Sequence, residues 1–367
     1  MNLLSYIIWN GSPEIFTIPI PFLDTQITLR WYGLLFALGF LVSQQILYYI
    51  FKKEGKPEKD VDTLTIYMVI ATVIGARLGH VLFYEPERYL SNPLDILKIW
   101  EGGLASHGAA VGILFALWLY ARKKNPGQNY LQTLDRIVIL VALTGALIRL
   151  GNFYNSEIIG KPTYNDTGVV FARNVTEVLK GDESIKKVSY VQRDTVSTEE
   201  GYKPVKILLE FAPSQHNTYE SYSEYMEGRV NSLLSYNPYV QEHISQSGYI
   251  DYKLSQDEAG NYFAIINTYA IPRYPAQLYE SISCLLLFLV LFWIWTKHKI
   301  NLPEGRLFGI FLIVCFGLRF VYEFLKENQV DFENSLPLNM GQILSIPLVL
   351  LGVYVLIRSY SKGTQTT

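Results

Sequence analysis

Cysteine is almost absent from this chain of 367 residues: there are two, Cys284 and Cys315. Both lie inside apolar runs, so they build no disulfide scaffold, and no Cys/His spacing resembles a zinc site. Charge is scarce as well. Asp, Glu, Lys and Arg make up 17% of residues, against about 25% in an average soluble domain, which argues against an ordinary cytosolic enzyme. The net charge of −2 leaves no basic excess for nucleic acid to exploit. There is no Gly-x-Ser-x-Gly elbow, phosphate loop, HExxH or Rossmann fingerprint, and no inverted internal repeat of the kind many transporters carry. The stretch from Met1 to Trp9 has neither the basic start nor the long apolar core of a signal peptide. Apolar side chains are what the sequence has in abundance. Half of the residues are hydrophobic (50%) and 14% are aromatic, with a mean hydropathy of +0.16. Disorder and a collagen-like fibre are excluded by these values.

The apolar residues are gathered into seven runs, at 31–50, 63–83, 104–120, 135–153, 276–296, 306–324 and 340–358. Each approaches the roughly 20 residues that a membrane-crossing helix needs; the third is short unless Gly102 and Gly103 belong to it. The pattern predicts an all-α polytopic membrane protein of about seven transmembrane helices. Residues 1–29 read as an interfacial segment, in which Pro19 and Pro21 prevent a long helix. Residues 154–275 are different: polar, with period-two stretches at 203–211, 248–254 and 261–266 and turn residues at 257–261. They predict a β-rich insert containing a hairpin. The chain then divides into 1–153 (interfacial segment and helices one to four), the insert 154–275, and 276–367 (helices five to seven and a short tail).

Orientation follows from Lys and Arg in the short loops. Lys52, Lys53, Lys56 and Lys59 fall in one loop, Arg122, Lys123 and Lys124 in another, and Lys297, Lys299 and Arg306 in a third. The alternate short loops carry only Arg88 and Lys98, and Lys326. Placing the basic loops in the cytoplasm puts the N-terminus outside, the C-terminus with Arg358 and Lys362 inside, and the insert on the extracytoplasmic side.

Polar residues at membrane depth carry the functional signal. An arginine at a helix centre costs about 2.5–3.5 kcal/mol even on the lenient insertion scale, so Arg77, Arg149 and Arg319 each require a cavity or an internal partner. Arg77 and His80 lie in Ile74-Gly-Ala-Arg-Leu-Gly-His80, where the glycines permit close helix packing; Arg77 reads equally as a carboxylate's partner and His80 as a hydrogen-bonded core residue. His107 sits among small residues at 105, 108, 109 and 112, which suits helix packing and equally suits access by a substrate needing a proton acceptor. The densest cluster is Arg149-Leu-Gly-Asn152-Phe-Tyr-Asn155-Ser-Glu157-Ile-Ile-Gly160. Arg149 and Asn152 share a helix face, and a guanidinium beside two amides is a site for an oxyanion, most simply phosphate; the competing reading is an arginine snorkelling to the interface. Arg319 and Glu323 are spaced i, i+4 and read as an ion pair or as part of the site. Glu280 and Gln342 read as interhelical hydrogen-bonding residues. These residues describe an arginine-lined, outward-facing site for an anionic, lipid-soluble ligand, or a transporter or channel for an anionic solute.

Six stretches, in chain order, resemble the prolipoprotein diacylglyceryl transferase family: Arg30-Trp-Tyr-Gly-Leu, Gly75-Ala-Arg-Leu-Gly, Glu101-Gly-Gly-Leu-Ala-Ser-His-Gly, the run from Arg149 to Gly160, Arg273-Tyr-Pro-Ala-Gln-Leu-Tyr-Glu, and Arg319-Phe-Val-Tyr-Glu-Phe. The resemblance implies transfer of the diacylglyceryl group of phosphatidylglycerol to the lipobox cysteine of a preprolipoprotein signal peptide in the bacterial inner membrane, with release of glycerol 1-phosphate and without metal or other cofactor. It further implies that Arg149 and Asn152 bind the phospholipid headgroup, with Asn155, Glu157 and Gly160 in the same signature and Arg77 and Glu323 at matching positions. By the same resemblance His107 acts as base for the thiol, Tyr32 lies near the site, and Arg319 is a second arginine. Three departures stand out: His107 is followed by Gly-Ala rather than Gly-Gly, His80 stands where tyrosine is common, and Cys315-Phe316 stands where an aromatic hydroxyl is frequent. His80 is then a second candidate base. The insert is longer than the resemblance leads one to expect.

Overall fold

The computed structural model describes residues 6–20, 25–98, 103–165, 167–193, 197–198, 200–212, 218–327 and 336–363. Pro21, Glu101 and Gly102 lie outside the described residues. In chain order the elements are β1 (Ile7–Trp9), β2 (Glu14–Ile20), β3 (Thr25–Arg30), α1 (Trp31–Lys53), α2 (Lys59–Phe83), α3 (Pro86–Ser91), α4 (Ser106–Ala121) and α5 (Tyr130–Tyr154). There follow β4 (Val169–Phe171), α6 (Arg173–Lys180), β5 (Ile185–Gln192), β6 (Lys203–Phe211), α7 (Tyr219–Tyr225), α8 (Asn231–Tyr236), α9 (Pro238–Gln241), β7 (Ile244–Ser245), β8 (Asp251–Gln256) and β9 (Tyr262–Ala270). The chain ends on α10 (Ala276–His298), α11 (Arg306–Tyr322) and α12 (Met340–Gly363).

Among the described residues six helices are long and apolar enough to cross a membrane: α1, α2, α5, α10, α11 and α12. The protein is thus a polytopic membrane protein, mostly helical. The seventh run of the sequence forms α4, which is apolar but has 16 residues; at 1.5 Å per residue it spans about 24 Å, short of a bilayer core of about 30 Å. Its late start has a local cause. Gly103 has a φ of +73° and Ala105 is extended, so the helix cannot begin before Ser106.

The chain divides into two compact units. The first comprises residues 36–147, 282–320 and 340–367. Its core joins Leu47, Ile50, Phe51, Leu64, Leu117, Ile139, Leu291, Trp295 and Leu307, all almost fully buried. On α2 and α4, glycine replaces side-chain packing: a Cβ on Gly75 would lie 2.5 Å from the Gly108 carbonyl oxygen, and one on Gly79 would lie 2.7 Å from Gly108 Cα, so the backbones touch. Two buried carboxylates are satisfied by this unit itself. Glu54 accepts from Arg136 Nη2 at 2.9 Å and Trp295 Nε1 at 2.7 Å, with Lys56 Nζ 2.6 Å away. Asp135 accepts from the Gly305 and Phe308 amides at 2.7 and 2.9 Å, which serves the free N–H groups at the start of α11.

The second unit comprises residues 1–35, 148–281 and 321–339. The segment expected to lie flat at the interface is a hairpin, β2 antiparallel to β3, and β1 pairs in parallel with β4. The sheet of this unit has the order β5–β6–β9–β7, with β8 also on β9. Val205, Ile207 and Leu209 of β6 and Ala264 and Ile266 of β9 alternate into one buried face. The β8–β9 hairpin turns where the sequence places it: Asp257 Oδ1 accepts from the Asn261 amide at 2.8 Å and Gly260 takes a φ of +83°. The insert is not simply β. Helices α6 to α8 and the π-helical turn Met226–Val230 between α7 and α8 share the core of the sheet through Val175, Leu179, Tyr222, Met226, Val230, Leu233 and Leu234, whose three- and four-residue spacings are helical.

A buried imidazole couples this unit to pH. His243 is 1% exposed; its Nε2 faces Asn174 Nδ2 at 2.8 Å, and its Nδ1 has no hydrogen-bond partner among the described residues. Burial first, and then the Arg273 charge, lower its pKa from 6.5 to about 3. The unfolded chain therefore binds a proton below pH 6.5 that the folded unit refuses, and stability falls as pH drops through that window, by about 2 kcal/mol at pH 5. Hydrogen exchange at α6 and β7 in the full-length protein, corrected for intrinsic rates, should show weaker protection at pH 5 than at pH 7. Equal protection at the two values rejects the coupling.

Candidate functional site

The signature run sits where α5 ends. Asn152 and Asn155 donate from their Nδ2 atoms to Glu157 at 3.3 and 3.2 Å, and the Glu157 amide donates to the Asn152 carbonyl at 3.0 Å. Ser156 and Ile158 take φ values of +54° and +55°, strained for side-chain-bearing residues, and this bend turns the chain sharply after the helix. Gln277 Nε2 donates to the Glu157 carbonyl and fixes the bend from α10. The two amides that sequence spacing places beside a guanidinium thus each commit a hydrogen to the Glu157 carboxylate.

Arg149 points into the same region and is held from one side. Its Nε lies 2.8 Å from Glu280 Oε2 at the start of α10, with the arginine side chain 24% exposed. Among the described residues no protein partner faces its two Nη atoms. Glu280 in turn accepts from Lys326 Nζ, and the same ammonium lies 3.3 Å from Glu323 Oε1. Glu323 Oε2 accepts from Asn339 Nδ2 at 3.2 Å. Glu280 therefore does more than the hydrogen bonding expected of it, and Lys326, expected only as a loop charge, is buried at 3% exposure. Sequence periodicity misses both because i, i+3 and i, i+4 spacing finds neighbours on one helix only. A buried arginine without a local carboxylate was the available signal that a distant acid must pair with it.

Gly160 holds Lys326 in place. Its amide donates to the Tyr274 carbonyl at 2.9 Å and the next amide, of Lys161, donates to Leu325 at 2.7 Å. A Cβ on Gly160 would lie 2.6 Å from Tyr274 and 2.8 Å from the Leu325 carbonyl, so no other residue fits. Tyr32 packs against Gly151, whose Cβ would approach Tyr32 Cα to 3.0 Å.

The other sequence-predicted residues, Arg77, His80, His107 and Arg319, belong to the helical unit. Arg77 is buried and its guanidinium is spent on backbone: Nε donates to Ile96 at 2.8 Å, Nη1 to Gly103 at 3.2 Å, and Nη2 to Asp95 at 2.6 Å and Lys98 at 3.2 Å. The Tyr89 ring lies 4.9 Å below it. Gly103 is where these contacts converge, since a Cβ there would lie 2.7 Å from the His80 ring and 2.8 Å from Arg77 Nη1. His80 Nε2 is 3.5 Å from Glu85 Oε1, and its ring stacks on Tyr84 at 5.5 Å. His107, in the first turn of α4, lies 5.2 Å from the Phe83 ring and 5.9 Å from Tyr84, so the two imidazoles flank one tyrosine. Arg319 is half-buried on α11. No group of three or more metal-ligating side chains occurs among the described residues.

A family model described as prolipoprotein diacylglyceryl transferase matches residues 19–358. Curated relatives named phosphatidylglycerol–prolipoprotein diacylglyceryl transferase include a protein of Chloroherpeton thalassium, 34% identical over 366 residues that cover 99% of this chain and 98% of the relative. A Tolumonas auensis protein of the same name is 34% identical over 97% of this chain and 99% of its own, and one from Bacteroides fragilis is 32% identical over 96% and 95%. These three matches cover 95% or more of each chain.

Proposed function

The chain belongs to the prolipoprotein diacylglyceryl transferase family, and from that membership we infer that it transfers the diacylglyceryl group of phosphatidylglycerol to prolipoproteins, the first step of lipoprotein maturation. Its acceptor is the lipobox cysteine thiol of the signal peptide, and both substrates reach it through the membrane. The observation that supports the site reading best is Arg149, whose Nε is 2.8 Å from Glu280 Oε2 and whose Nη edge has no ion pair among the described residues. That edge suits two oxygens of one phosphate, the geometry that a planar guanidinium recognises.

In this reading the thiolate sulfur attacks the glyceryl carbon bonded to the phosphate oxygen. The S–C bond forms, the C–O bond breaks, the electron pair leaves on the phosphate oxygen of glycerol 1-phosphate, and the thiol proton passes to His107. Arg149, with Arg319 as the second cation, stabilises the departing phosphate. Glu157 and its two amides take the hydroxyls of the glycerol headgroup, and Tyr32 lines their approach. Arg77 supports the segment that carries His107 instead of touching lipid, because its donors are already occupied by backbone carbonyls. The loop lysines and arginines support α4 as a seventh membrane helix, an outside N-terminus, a cytoplasmic C-terminus and an extracytoplasmic insert. The membrane is then the bacterial inner membrane.

Purified protein incubated with phosphatidylglycerol and a lipobox peptide should yield a peptide heavier by one diacylglyceryl group, and a Cys→Ser peptide should yield none. Equal modification of the serine peptide rejects the thiol as acceptor, and no modification of either rejects the transfer.

A further inference from the structure

We propose that Lys326 is a positioning residue for phospholipid binding: by neutralising Glu280 it leaves the outer edge of Arg149 available to phosphate. The inference rests on Arg149 as the phosphate site and concerns a residue to which that reading gives no role.

Four ionic side chains form one line in the second unit. Arg149 Nε stands 2.8 Å from Glu280 Oε2; Lys326 donates to the other oxygen, Glu280 Oε1; and Lys326 reaches Glu323 Oε1 at 3.3 Å. Glu280, Glu323 and Lys326 are 7%, 9% and 3% exposed, so water screens their interactions little and the local charge balance governs what the exposed end can bind. Arg149 is that exposed end. With Lys326 present, Glu280 is shared by two cations and the guanidinium keeps positive potential at its Nη edge. Without it, Glu280 is left to Arg149 alone, and an incoming phosphate meets a guanidinium already offset by that carboxylate.

The main chain around Lys326 is built to hold this position. Residues 160 and 326 form a β-bridge, Lys161 donates to the Leu325 carbonyl at 2.7 Å, and the Cβ clash at Gly160 lets this strand approach only a glycine. The last glycine of the signature thereby serves Arg149 through Lys326 and Glu280, although neither of its own atoms needs to touch lipid.

The test compares steady-state kinetics of Lys326→Met, Lys326→Gln and Lys326→Arg, with phosphatidylglycerol and a lipobox peptide varied separately. Lys326→Met should raise KM for phosphatidylglycerol about tenfold or more, the scale of one lost charge interaction at a partly desolvated site, and leave KM for the peptide unchanged. Lys326→Arg, which keeps the cation, should hold the lipid KM to within a few-fold. A purely structural lysine predicts otherwise: lower yield or lower kcat and no selective change in the lipid KM. That pattern overturns the proposal, and if Lys326→Met does not accumulate, an unchanged lipid KM in Lys326→Gln overturns it as well. Arg149→Ala separates the two levels. An unchanged kcat/KM for the lipid in Arg149→Ala refutes the phosphate site itself, whereas a lowered one beside a normal Lys326→Met refutes only the role of Lys326.

Discussion

Replacing Arg149 by alanine should lower kcat/KM for phosphatidylglycerol by about 10²- to 10³-fold, the loss that follows removal of one donor aimed at developing negative charge. The guanidinium does two things at once: its Nε lies 2.8 Å from Glu280 Oε2 as an ion pair, and its two Nη atoms remain as a planar pair of donors. Lysine cannot do both. Its ammonium is a point charge, so Arg149→Lys either pairs with Glu280 or reaches the phosphate, and turnover should still fall about tenfold or more, which corresponds to about 1.4 kcal/mol. Initial rates over a range of lipid concentrations check both variants. Near-normal turnover in Arg149→Lys rejects bidentate recognition.

The second large effect is expected at His107. General-base catalysis contributes typically 10²- to 10⁴-fold, and His107→Gln should lower kcat at neutral pH by at least about 10²-fold. The pH dependence separates a base from a packing residue. A free thiol titrates near pH 8.5 and is only a few per cent ionised at about pH 7. Above pH 8.5 the thiolate forms without help, so the defect of His107→Gln should shrink as pH rises to about 9 if the imidazole serves to take the thiol proton. His80 is the competitor: it flanks the same tyrosine and has Glu85 3.5 Å from its Nε2. Rate profiles for His80→Gln run in parallel decide between them. A defect confined to His80→Gln that fades with rising pH exchanges the two roles, and a defect in either variant that is constant with pH assigns that histidine to positioning.

Much of this was legible in the sequence because it depends on local chemistry. Runs of apolar residues specify membrane helices wherever they occur, and six of the seven runs form helices of spanning length. The β8–β9 hairpin was legible because Asp257, Gly260 and Asn261 carry the turn themselves. The short α4 was not, since its start depends on the left-handed Gly103 and on side chains of α2 that crowd it. The small helices of the insert were hidden by their polar composition, although Tyr222, Met226 and Val230 keep a helical period. At the site, the cluster from Arg149 to Gly160 stands out as polar residues at a helix end. Its ionic completion does not, because Glu280 and Lys326 come from segments far along the chain and only folding brings them to Arg149.

The most direct measurement follows the phosphate. Phosphatidylglycerol labelled in its headgroup glycerol is given to the purified protein with a lipobox peptide, and released glycerol 1-phosphate is counted beside the thioether product. One glycerol 1-phosphate per thioether is expected, with both falling together in Arg149→Lys. Release of headgroup without thioether, or thioether formed at an undiminished rate in Arg149→Lys, would contradict a transferase whose leaving phosphate is held by Arg149.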